Sequence, residues 1–204
     1  MRTSFQVEHY LIEFEEETHQ YYVDHNPVIS VTQLIKELLP SPYKRVDPTI
    51  LARAAERGTE LHDAIEHFEK TGEVSHLTEF KNYLKLKKQH QIDVVNNEQI
   101  VVISHRGVVI AAGRFDMIVT SPFMKGFGIV DVKRMAHLHP THLALQLNLY
   151  KLGYEQTYKT PISYLKCIHL RGHHYEYVDI MFDKALLQRS LNKYVDLHPE
   201  LFIT

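Results

Sequence analysis

The chain predicts a mixed α/β domain, with a central mixed β-sheet flanked by helices. Three observations carry that expectation. The segments Val108–Thr120 and Phe127–Lys133 alternate or run apolar and are rich in β-branched residues, as buried and half-buried strands are. Helical spacing of apolar residues marks Thr49–Lys70 and Thr78–Gln91, and helices are also expected at His142–Thr157 and Lys184–Leu197. Helices come first, then a mainly antiparallel hairpin core, then a helix and more strands, which is the order of a mixed domain. The 204 residues, 44% of them hydrophobic, suffice for one well-buried domain.

The elements follow in order. Gln20–Val23 and Val28–Val31 flank Asp24-His25-Asn26-Pro27, a turn-rich group, and predict a small hairpin. Ser30 or Thr32 caps a helix at Gln33–Leu39, which Pro40 and Pro42 end. A loop through Tyr43–Pro48 leads to the helix Thr49–Lys70, whose stripe is Leu61, Ile65 and Phe68 and whose stop is Gly72. After the helix Thr78–Gln91 come strands at Gln99–Ser104, Val108–Thr120 and Phe127–Lys133. Strands at Ile162–Leu170 and His174–Ile180, with Arg171-Gly172 in their turn, separate the last two helices.

Composition excludes several classes. No run of eighteen or more apolar residues exists, so no membrane span is expected. The opening MRTSFQVEHYLIEFEEE is too acidic and polar for a secretory signal. The single cysteine, Cys167, permits no internal disulfide, suggests a reducing compartment such as the cytoplasm, and excludes a four-cysteine iron–sulfur cluster. The net charge of −2 gives no basic excess of the kind nucleic-acid binders often show, although a local basic groove is compatible with it. Lys81, Lys85, Lys87 and Lys88 form the densest basic run, read first as a solvated helix face and second as a DNA contact.

The stretch from Gly113 to Tyr150 holds the chemistry. It contains GRFDMIV, GIVDVKR and QLNLY. Asp116 and Asp131 sit fifteen positions apart, and Lys133 lies two residues after the second. Side chains alternate along a strand, so Asp131 and Lys133 point the same way, and Asp116 reaches that face if the strands pair as a hairpin. Two acids and a lysine on one pleated surface can hold a hard divalent cation beside an ammonium. Those are the parts needed to attack a phosphodiester with water activated on a metal. An ion pair between Asp131 and Lys133 with no catalytic role is the alternative.

The flanks make the pattern more specific. Gln146 and Tyr150 form Q-x-x-x-Y on the following helix, and Arg57-Gly58-Thr59-Glu60-Leu61-His62 with Glu66 gives R-G-T-x-x-H-x-x-x-E. This ordered set resembles the RecB-like branch of the PD-(D/E)xK nuclease superfamily, including phage exonuclease-type and mitochondrial genome-maintenance members, from about Phe5 to Tyr177. The resemblance implies one nuclease domain over residues 1–204 with a restriction-endonuclease-like core. Residues 1–48 would be a hairpin-and-helix leader, 49–180 the catalytic core and 181–204 a C-terminal helix.

It also implies roles. Asp116, Asp131 and His62 would be metal ligands for one or two Mg²⁺ or Mn²⁺ ions, with the backbone carbonyl of Val132 completing the shell. Lys133 would act electrostatically or, with a lowered pKa, in proton transfer. Gln146 and Tyr150 would lie beside the lysine and the scissile phosphate. Glu66 would orient His62 or a metal-bound water, and Glu98 would be an extra metal or water contact. Arg57 and Arg134 are candidate DNA contacts, with strand-edge solvation the alternative for Arg134. His137, His139 and His142 would lie near the DNA mouth, and His169 to His174 read as a hairpin turn rather than a metal site. The implied activity is metal-dependent DNA hydrolysis, with an exonuclease on linear or single-stranded ends in phage-type recombination or DNA processing preferred. A structure-dependent endonuclease, or a non-catalytic DNA-binding or assembly module on the same fold, is the alternative. DNA is the implied partner, joined by a single-strand-annealing or recombination protein, in the host cytoplasm if the chain is phage-encoded.

Overall fold

The computed structural model describes residues 2–203; Met1 and Thr204, the ends of the expected domain, lie outside them. The mixed α/β class is borne out. Strands β1 (Arg2–Val7), β2 (Tyr10–Glu15), β3 (Gln20–Val23) and β4 (Asn26–Ser30) lead into helix α1 (Val31–Leu38). Helices α2 (Pro48–Thr71) and α3 (Thr78–Gln89) follow, then strands β5 (Asp93–His105), β6 (Val108–Ser121) and β7 (Met124–Lys133). Helix α4 (Pro140–Tyr158), strands β8 (Ile162–Arg171) and β9 (His174–Ile180), helix α5 (Lys184–Leu197) and a 3₁₀ turn at Pro199–Phe202 complete the chain. The nine strands form one mixed sheet, in which β4 runs parallel to β6 and β7 parallel to β8.

Local signals account for most boundaries. Ser30, not Thr32, caps α1: its hydroxyl accepts from Gln33 N–H at 3.1 Å and Gln33 Oε1 accepts from Ser30 N–H at 2.7 Å, a reciprocal box. Asp47 caps α2 with Pro48 as the first helical residue, and Gly72 ends it at φ +79°. The β3–β4 turn is tighter than the four-residue group read from sequence. Asp24 and His25 alone make it, both at positive φ, and Asn26 and Pro27 already belong to β4. Strand β5 starts at Asp93 rather than Gln99, because a bulge near Val94–Asn96 lets the polar run Asn96–Glu98 continue the ladder.

The β1–β2 hairpin was not read from the sequence. Phe5, Val7, Tyr10 and Phe14 pack against a cluster of Ile12, Tyr21, Val23, Ile100 and Val102, but the connection at Glu8-His9 has no glycine, proline or asparagine. Glu8 takes φ +53° without the usual turn residue.

Three apolar clusters hold the sheet. Helices α1, α4 and α5 cover one region through Leu34, Leu145, Leu149 and Leu191; α2 and α3 cover another through Leu61, Ile65, Phe80 and Tyr83. Each such fully buried Leu, Ile or Phe side chain contributes roughly 1.5–3 kcal/mol relative to exposure. The basic run on α3 is partly used here. Lys87 pairs with Glu69 of α2 at 2.5 Å, and Lys85 lies 5.3 Å from the Tyr175 ring, while Lys81 and Lys88 are exposed. No helix among the described residues is long and apolar enough to cross a membrane.

Candidate metal centre at a fork in the sheet

Strand β6 is paired along one edge by β5. Its other edge is shared, by β4 at Ala111 and Ala112 and by β7 from Met117 onward. The sheet therefore forks at Gly113–Asp116. The pairing Met117↔Val130, continued one step, brings Asp116 beside Asp131 where the ladder ends. In place of a ladder bond, Val132 N–H donates to Asp116 Oδ2 at 2.6 Å. Lys133, two residues beyond Asp131, turns back onto it, with Nζ 2.7 Å from Asp131 Oδ2.

Helix α2 supplies His62 from one layer of the fold, and its Nδ1 lies 3.2 Å from Asp116 Oδ1. From the opposite layer α4 supplies Tyr150, buried, and Gln146, whose amide donates to the Tyr150 hydroxyl at 3.3 Å. Glu98 joins from β5. Asn97 pairs with Met117 and Gln99 with Phe115, so Glu98 stands opposite Asp116. It does so at φ +52°, a left-handed conformation that costs a non-glycine residue about 1–3 kcal/mol and recurs at functional sites. Its carboxylate pairs with Arg114 Nε at 2.5 Å. Ligand atoms of His62, Glu98 and Asp116 all lie within 4.8 Å of one another.

The electrostatics favour a cation. Burial pushes the His62 imidazole down, but the charge and hydrogen bond of Asp116, with the charge of Asp131, carry it up to about 9. His62 is thus protonated at neutral pH because two carboxylates demand positive charge. Burial, with the Asp116 and Glu66 charges, pushes Glu98 up to about 7 against the pull of Arg114. Burial opposes the charged form of Lys133 as well. The Asp131 and Asp116 carboxylates outweigh it and hold the lysine above its ordinary range, so the proton-transfer role based on a lowered pKa is not favoured.

His62, Glu66, Glu98, Asp116 and Val132 border a recess of about 10 Å³, close to the roughly 10–15 Å³ one water-sized particle needs. Imidazole and carboxylate donors around such a recess are of the kinds that can hold a divalent cation. The nearest donors are His62, Glu98 and Asp116. Asp131 is engaged with Lys133 next to them, and Val132 presents its N–H, not its carbonyl, to Asp116.

The recess opens into a cleft of about 630 Å³, lined by Gly58, Thr59, Arg114, Lys133 and Tyr150 and also by Phe14, His19 and Tyr21 of the N-terminal strands. That contribution from the leader was not read from the sequence; the signal was the alternation of Tyr10, Ile12 and Phe14. A second, apolar cleft of about 320 Å³ adjoins it, sharing Thr32 and Lys133, with Tyr43, Leu138, His139 and His142 among its walls.

Other sequence-predicted residues lie differently. Glu66 faces the cleft, but its side-chain partner is Lys70 one turn on, not His62. Arg57 is exposed on α2 and is not among the residues lining the cleft. Arg134 corrects both readings made of it. It is half-buried rather than fully solvated, and it is not free for phosphate, because its guanidinium pairs with Glu79 of α3 at 3.0 Å, and Glu79 also accepts from Gly172 N–H at 3.1 Å. The lysines of α3 do not line the cleft.

No family model matches the chain, and no curated protein matches it. Among solved structures it is similar to the crystal structure of SSO0001, at 16% identity and a TM-score of 0.47, over 86% of this chain and 78% of that one. A likeness at that level bears on neither fold nor function here.

Proposed function

We propose that the protein is a divalent-cation-dependent deoxyribonuclease built on a PD-(D/E)xK core. The observation that carries this reading is the convergence at the fork of Asp116, Asp131 and Lys133 with His62. They come from two strands and a helix, and each buried carboxylate is paired with a cationic side chain there. A Mg²⁺ or Mn²⁺ ion held by Asp116, His62 and Glu98, with Asp131 adjoining, would supply the charge that acidifies an attacking water and offsets charge building on the phosphoryl oxygens.

The chain's own groups do the rest. Lys133, held above its ordinary range, stays protonated and lines the cleft, where its ammonium would stabilise the transition state more than the ground state. Asp131 holds that ammonium in place at 2.7 Å. Tyr150 walls the cleft beside Lys133, and Gln146, bonded to Tyr150, walls the adjoining apolar cleft that shares Lys133; both carry donors suited to a phosphate.

Gly58 lines the cleft, and a Cβ built on it would meet no protein atom within 4 Å. Nothing in the fold requires glycine there. Gly58→Ala should therefore keep or raise stability, by up to about 1 kcal/mol from helix propensity, measured by urea unfolding. Gly58→Leu, with folding checked by the same urea unfolding, should slow DNA cleavage by projecting into the path of the strand. Cleavage at the wild-type rate in Gly58→Leu would remove the cleft from the DNA path.

An exonuclease is the preferred activity. The described residues form one sheet with its flanking helices and include no separate sequence-reading module, so an accessible strand end is the simplest thing for the cleft to engage. Backbone contacts of that kind tolerate any sequence and weaken with salt. Linear plasmid should be degraded faster than its covalently closed form, with activity falling as salt rises. Equal rates on the two forms, or discrete fragments, would replace this reading with the endonuclease.

A further inference from the structure

We infer that His169, His174 and Glu176, on the β8–β9 hairpin, form a second metal site that takes zinc or a similar borderline transition metal. It is distinct in residues and chemistry from the cluster at the fork, and it does not rest on the nuclease reading.

The register builds the site. His169 pairs with Glu176 and Arg171 with His174, so His169 and Glu176 stand directly opposite each other and His174 is their diagonal neighbour on the same face. Ligand atoms of the three lie within 4.8 Å of one another, and His174 Nε2 is 3.8 Å from Glu176 Oε2. In a tetrahedral zinc site with bonds of roughly 2.0–2.2 Å, donors sit roughly 3.3–3.5 Å apart. His174 and Glu176 are more than half exposed, so side-chain rotation alone can close the difference.

His169 is the fixed member and gives the second, independent indication. It is buried, and its Nε2 lies 2.8 Å from the Met135 carbonyl oxygen. A carbonyl only accepts, so Nε2 carries the proton and the lone pair is on Nδ1. Holding the far ring N–H on a backbone carbonyl is how proteins set the tautomer and orientation of a metal-binding histidine. Two imidazoles and one carboxylate suit zinc, whereas magnesium and calcium prefer all-oxygen shells. Water would complete the coordination on the exposed side.

The site has a structural consequence. His169 holds Met135, and Arg171 Nη1 donates to the Ala136 carbonyl at 3.3 Å, so the hairpin end is tied to the loop that follows Lys133. A metal joining His169 to His174 and Glu176 would tighten that end of the hairpin against the loop.

Cobalt(II) titration of chelator-stripped protein tests this. One equivalent should give the visible absorption of four-coordinate cobalt, zinc should displace it, and millimolar magnesium should not. His174→Ala and Glu176→Gln, both at exposed positions and checked for an unchanged fold by circular dichroism, should each weaken cobalt and zinc binding by more than about tenfold. His62→Ala should retain the signal. Absence of saturable absorption, or a signal that survives His174→Ala and disappears in His62→Ala, would overturn the proposal. None of these results depends on DNA cleavage, so failure here leaves the nuclease reading to its own test.

Discussion

Lys133→Ala should lower the rate of DNA cleavage by about 10²–10³-fold, the usual cost of deleting one preorganised transition-state donor, while DNA affinity changes only slightly. The expectation follows from the raised lysine pKa and its position on the cleft wall, 2.7 Å from Asp131. Because that carboxylate is buried, removing the ammonium should also cost about 3 kcal/mol of stability. The two effects separate with a second variant. Adding Asp131→Asn to Lys133→Ala should recover most of the lost stability and none of the activity. Single-turnover cleavage at saturating enzyme, with urea unfolding of each variant, makes the comparison. Wild-type turnover in folded Lys133→Ala would remove the lysine from the chemistry.

The part of this site legible in the sequence is the part that local geometry determines. Period-two alternation makes Asp131 and Lys133 share a face, and a hairpin between β6 and β7 was enough to bring Asp116 to them. His62 was singled out by the R-G-T-x-x-H-x-x-x-E resemblance, while helix spacing alone sets it only beside the apolar stripe of Leu61 and Ile65.

What was not legible depends on register and on long-range pairing. Glu98 was named only through the resemblance; the bulged strand and left-handed backbone that bring it to Asp116 are announced by no turn residue. Arg134 looked available to DNA, and only the docking of α3 gives it Glu79, fifty-five residues away. His169, His174 and Glu176 read as a turn because their shared face exists only once β8 and β9 are aligned. The N-terminal strands looked like a leader, yet β4 pairs into the central sheet and Tyr21 lines the cleft. An acidic strand with a plain Glu-His turn carries too little local signal to predict that.

The cation dependence also carries a pH signature. His62, with its pKa near 9, is protonated at neutral pH, and a protonated imidazole cannot ligate. A cation binding there must displace that proton. Apparent cation affinity should therefore rise with pH, more steeply below about 7 where Glu98 also gives up a proton, then by up to about tenfold per unit, and level off as His62 deprotonates near 9. His62→Ala should bind more weakly and lose this part of the slope.

The most direct measurement is cleavage of end-labelled linear DNA by chelator-stripped protein, titrated with magnesium or manganese at several pH values. The account predicts no cleavage in chelator, recovery on adding either ion, and half-saturation at lower cation concentration as pH rises toward 9. Undiminished cleavage by metal-free protein in chelator would contradict it.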